Sequence, residues 1–148
     1  MDNTMAESCI LYVSKNAKKP SLAVKGPSEE EEQVAVVKWC KLHGVPVVHV
    51  PNEGKRSAAA GAALKRAGMQ SGFPDLFIPK PVNGYHGLMI EMKVGKNKPT
   101  ANQIEWLKTL AGEGYATCVR WGSDSTIQTI ERYLTEKSKA KGNKLTKS

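Results

Sequence analysis

Apolar and polar positions change rhythm several times along this chain, and each change predicts an element. After the breaker pair Gly26-Pro27, the stretch SEEEEQVAVVKWCKLHG sets Val36, Val37 and Cys40 on one helical face. Ser28 and Glu31 have the spacing of a capping box, and Gly44 stops the helix. The apolar run over residues 45–50, VPVVHV, reads as a buried strand closed by Pro51. Alanine-rich residues 57–67 predict a helix ending at Gly68. DLFIP, residues 75–79, is a short strand, PVNGYHG a turn, and GLMIEMKV, residues 87–94, a central strand. A helix is expected from Thr100 to Gly112 or Gly114, then the strand YATCVRW. Residues 124–136 carry Ile127, Ile130 and Leu134 at helical spacing.

This order predicts an α/β domain, a small mixed sheet flanked by helices. The short turn between the two middle strands makes them antiparallel neighbours, and the strand–helix–strand step over residues 87–121 suits a parallel crossover. Residues 1–27 read as a leader with a short strand at Cys9–Val13, residues 28–136 as the folded domain, and residues 137–148 as a disordered basic tail.

Composition narrows the partners. Of the net charge of +8, five lysines in the acid-free last twelve residues supply most, leaving +3 on the remainder. Such arms bind polyanions or merely solubilise. No apolar run approaches the ~20 residues of a bilayer span, and the N-terminus lacks a signal-peptide pattern, so a cytoplasmic protein without a membrane is expected. Cys9, Cys40 and Cys118 have no zinc spacing and read as reduced thiols. His43, His49 and His86 show no ligand spacing either, and Trp39, Trp106 and Trp121 read as core residues.

The strand GLMIEMKV raises a chemical question. Alternation sends Leu88, Ile90, Met92 and Val94 to one face and Glu91 and Lys93 to the other. If the preceding strand pairs with it across the turn, Asp75 arrives near the same end. Two carboxylates and an ammonium then share one patch. Like charges about 4 Å apart repel by about 4 kcal/mol at an effective dielectric near 20. Such a pair shares a proton or holds a cation, and a hard divalent cation suits oxygen ligands. With a lysine beside them, these are the parts of a metal-dependent phosphodiesterase. A salt-bridged strand face is the plainer alternative.

Pro74-Asp75, then Glu91-x-Lys93 after fifteen intervening residues, resembles the PD-(D/E)xK nuclease superfamily. SEEEEQVAVVKW, PNEGKRS, GFPDLFIP, HGLMIEMKV and NQIEWL in this order resemble the VRR-NUC family, in particular its stand-alone phage-type members. The resemblance implies an αβββαβ core and a Mg²⁺- or Mn²⁺-dependent endonuclease leaving a 5′-phosphate. It implies catalytic roles for Asp75, Glu91 and Lys93, with the Met92 carbonyl as a further metal ligand. The family's helix-borne glutamate and glutamine fall on Glu29, with Glu32 as second choice, and on Gln103, which also completes a capping box with Thr100. Asn52, Lys55, Arg56 and Lys65 form a basic segment expected to contact DNA phosphates. The resemblance further implies a homodimer acting on branched DNA such as Holliday junctions, in a prokaryotic host and possibly phage-encoded. The alternatives are a non-catalytic nucleic-acid-binding module and a monomeric flap or single-strand nuclease.

Overall fold

The computed structural model describes residues 26–52 and 54–135. The strand expected at Cys9–Val13, Cys9 itself and the lysine tail lie outside the described residues. The elements run α1 (Glu29–Leu42), β1 (Val48–His49), α2 (Ala58–Arg66), β2 (Leu76–Ile78), β3 (Leu88–Lys93), α3 (Ala101–Gly112), β4 (Ala116–Trp121) and α4 (Gly122–Thr135). The four strands form one sheet in the order β1-β2-β3-β4. The first three are antiparallel neighbours, and β4 lies parallel to β3.

Local chemistry sets these boundaries. At α1 the Ser28 hydroxyl accepts from Glu31 N–H while the Glu31 carboxylate accepts from Ser28 N–H, so the capping box is complete. Its last turn closes with Gly44 N–H on Lys41 O and Val45 N–H on Cys40 O, a pattern that needs the positive φ of +65° at Gly44. The same bond pair closes α2 after Gly68 and α3 after Gly114.

One sheet face carries Leu76, Ile78, Leu88, Ile90, Met92, Ala116 and Cys118, packed with Val36 and Cys40 of α1 and Ile130 of α4. The alternate face of β3 and β4 takes α3, whose buried residues are Gln103, Leu107 and Leu110. Because β3 has a strand on each side and helices on both faces, all six of its residues are buried, Glu91 and Lys93 included. Cys40 and Cys118 are buried, and burial pushes the Cys40 thiol up.

Three expectations need correction. Residues 45–50 do not form a buried strand: β1 has two residues, both exposed, at the sheet edge. Pro46 has no N–H for a ladder, Val45 N–H is taken by Cys40 O, and an edge strand has one covered side only. The last helix begins at Gly122, directly off β4, rather than at residue 124. Trp106 and Trp121 are half-buried and stand outside the main core cluster, whereas Trp39 packs against it. The Trp121 indole N–H needs a polar partner and donates to Asn97 O at 2.8 Å.

Candidate active site

The site lies where β2 begins and β3 ends. Leu76 pairs with Ile90, so the antiparallel register puts Asp75 beside Glu91. The Asp75 carboxylate accepts from the Met92 backbone N–H at 2.8 Å, which pins it to the neighbouring strand. Lys93, two residues beyond Glu91 on the same face, brings Nζ to 3.1 Å from Glu91 Oε1. Glu29, the first residue of α1, places Oε1 3.9 Å from the same Nζ. Asp75, Glu91, Lys93 and Glu29 are thus gathered from three elements.

The two glutamate choices separate cleanly. Glu29 faces Lys93, while the Glu32 carboxylate accepts from Ser123 N–H at the start of α4. Glu32 therefore ties α1 to α4 and does not point at the lysine.

Gln103 is buried on the α3 face, with its carboxamide oxygen accepting from Thr100 N–H at 2.8 Å. The loop before β2 packs against this turn so closely that a Cβ on Gly72 would lie 2.8 Å from the Asn102 carbonyl carbon. That contact holds the approach to Asp75 against the first turn of α3. In the basic segment, Asn52 donates its amide to Phe73 O at 2.7 Å, and Arg56 donates to Pro51 O and Met69 Sδ. Both residues order their loop, whereas Lys55 and Lys65 are exposed.

The electrostatics are unusual for a strand. Burial, then the Asp75 carboxylate, pushes Glu91 up to about 8 against the opposing pull of Lys93. For Lys93, burial works downward, but the hydrogen bond and charge of Glu91, with Glu29 and Asp75, raise it above the ordinary lysine value. Glu91 is 1% exposed; its Oε1 meets the Lys93 ammonium at 3.1 Å, and its Oε2 receives no hydrogen bond. A buried carboxylate with one oxygen left open can take a cation as ligand. Among the described residues no trio of His, Cys, Asp or Glu side chains is placed to hold a metal. Two carboxylates beside a strand backbone are oxygen donors of the kind that a hard divalent cation takes while keeping several waters.

Two features near the site were not read from the sequence. His49 Nδ1 lies 2.8 Å from Gln33 Nε2 and 3.2 Å from Asp75 O. The signal was available, since Gln33 follows Glu29 by four residues and shares its helix face. Glu32 as a clamp on α4 had no signal, because its partner is distant in sequence.

Fold and site together define a small α/β nuclease-type domain with a PD…ExK carboxylate centre. The VRR-NUC domain family matches residues 27–124, and the chain belongs to that family, a nuclease-type family acting on nucleic acid. A solved structure described as a "VRR_NUC domain protein" is similar, with a TM-score of 0.67 and 34% identity over 78% of this chain and 94% of that one. No curated protein matches the chain. Among the described residues, no helix is long and apolar enough to cross a membrane.

Proposed function

We propose that the chain is a divalent-metal-dependent endonuclease that hydrolyses DNA phosphodiesters. The observation that carries this reading is the buried Glu91 carboxylate, paired with Lys93 at one oxygen, open at the other and set beside Asp75. Asp75, Glu91 and the Met92 carbonyl would hold Mg²⁺ or Mn²⁺. When bound, the ion neutralises phosphate charge and lowers the pKa of water. Lys93 stays cationic, orients the attacking water and offsets the negative charge that grows on phosphorus-bound oxygens. Glu29, 3.9 Å from the ammonium, adds its negative charge to that of Glu91. Asp75 is held in place by Met92 N–H, so little reorganisation is needed as substrate arrives. Gln103 stiffens the first turn of α3 beside the centre.

The finer reading is a homodimer that cuts branched DNA such as a four-way junction. Resolving a junction takes two cuts in opposed strands, and one chain of this size offers one such centre. A two-fold dimer supplies two centres with matching symmetry. Lys55 and Lys65, exposed near the loop after β1, would contact backbone phosphates, as would the lysine tail.

The test is a panel of labelled duplex, flap, single-strand and four-way DNAs, with Mg²⁺, Mn²⁺ or EDTA. Metal-dependent cutting strongest on branched DNA is expected. Absence of metal-dependent cutting on every DNA would overturn the reading.

A further inference from the structure

A groove of about 550 Å³ opens beside the site, lined by Val50, Leu64, Met69, Phe73 and Trp106 with Arg56 among its walls. The volume falls in the range of small-molecule pockets, roughly 300–1,000 Å³. Its lining is largely apolar, and among the described residues none that lines it is acidic. Phe73 and Trp106 meet edge to face, with ring centroids 5.2 Å apart and planes at 66°. The α2 side is open: that helix has no buried residue, and Leu64 is 37% exposed.

Three connections fix the groove close to the carboxylates. Phe73 precedes Asp75 by two residues, at most about 7 Å of chain. Trp106 stands one turn beyond Gln103 on α3, about 5 Å along the axis. Val50 N–H donates to Asp75 O at 2.8 Å, so the groove wall and the site share a backbone bond. A nucleic-acid strand advances about 3.4 Å per nucleotide in a stacked helix and further when splayed. The groove therefore lies within a nucleotide or two of the bond to be cut.

We infer that this groove receives an unpaired nucleobase flanking the cut phosphodiester. The inference rests on the reading of DNA as substrate and names the feature of the DNA that is recognised. Aromatic and aliphatic walls suit the two faces of a base, and the carboxamides of Asn52 and Gln70 at the margin suit its polar edge. Arg56, with Lys55, Lys65 and Arg66 close by in sequence, gives the rim the charge that a phosphate backbone complements. A paired duplex keeps its bases stacked inside. Only a nucleotide freed at a branch, flap or mismatch can enter, so the groove would distinguish branched from regular DNA without reading sequence.

The test is binding by fluorescence anisotropy in EDTA, where nothing is cut. Two DNAs are compared, identical but for one unpaired nucleotide that either carries its base or is abasic. The full chain is expected to prefer the base-bearing DNA by about tenfold, the scale of one base–aromatic stack. Trp106→Leu should erase that preference while leaving affinity for abasic DNA unchanged, and Trp106→Phe should retain it. Leu64→Glu, on the exposed lip and outside the core, should erase it as well. Equal affinity of the unaltered chain for both DNAs would overturn the inference. So would equal weakening on both DNAs in Trp106→Leu and Leu64→Glu, or a change of mass in Leu64→Glu, which would make the groove a contact between copies. A preference that persists in a chain unable to cut DNA would leave the groove standing and remove the metal-site reading alone.

Discussion

At the scale of single residues, the proposed chemistry turns on Glu91. It is buried in mid-strand, and its carboxyl is pushed up to about 8 by burial and by Asp75. A carboxyl that holds its proton below that pH must release it to bind a cation. Metal affinity is therefore expected to rise about tenfold per pH unit between about pH 6 and 8 and to level off above, with one proton released per metal below the plateau. Calorimetry in two buffers of different ionisation enthalpy measures that proton. The same shift bears on the metal-free fold. A raised folded-state pKa means the group's contribution is fully present below the unfolded value of 4.5 and is lost as pH rises through about 8. Glu91→Gln should flatten the fall of the melting temperature between about pH 4.5 and about 8. The type and spacing of Asp75, Glu91 and Lys93 were legible in the sequence, because an acid and a base two apart in a strand must share a face. The choice between Glu29 and Glu32 was not, since four consecutive glutamates offer no contrast. Only the packing of α1 against both β3 and α4 sends one to Lys93 and the other to Ser123.

At the scale of elements, helix ends were the most readable features. Ser28 and Thr100 each cap the helix expected of them, and Ser57, read as the first residue of its helix, is the cap of α2, because a side-chain oxygen beside orphan N–H groups is a local interaction. Strand burial depends on neighbours, which explains the misread run at residues 45–50. Val48 and His49 have β2 on one side and no further strand of the described sheet on the other. Glu32 adds to the N-terminus of α4, which has Asp124 in its own first turn, an acidic acceptor supplied by another helix. Glu32→Ala is expected to cost about 1 kcal/mol, or roughly 4 °C of melting temperature for a domain of this size. It should also slow cutting, because the turn that carries Glu29 loses its tether. Glu32→Gln keeps an acceptor oxygen and should recover most of both. A thermal melt and a cleavage rate on each variant check this, and an unchanged melt in Glu32→Ala would show that the clamp holds nothing.

At the scale of the whole molecule, the order helix, strand, helix, two strands, helix, strand, helix and its mixed pairing were legible because turn and crossover lengths limit the pairings. The Val82–Tyr85 bridge with positive φ at Asn83 and Gly84 makes the tight turn that sets β2 against β3. The groove was not legible, since it gathers residues from positions 50, 64, 69, 73 and 106. The dimer expected for junction cutting is tested by light scattering with gel filtration, together with an assay for paired incisions. Twice the chain mass of 16.1 kDa and coordinated cuts are expected, and a monomer that nicks independently would contradict them. The apolar stretch Leu11–Tyr12–Val13, which the sequence offers as part of such a dimer contact, lies outside the described residues. The central claim, a cation-assisted cut at the Asp75–Glu91–Lys93 centre, is tested most directly by titrating Mg²⁺ into labelled branched DNA with the unaltered chain, Asp75→Asn and Glu91→Gln. The unaltered chain should cut only with metal, and both variants should cut about a thousandfold more slowly or not at all while binding DNA as well or better. Full Mg²⁺-dependent cutting by either variant would contradict it.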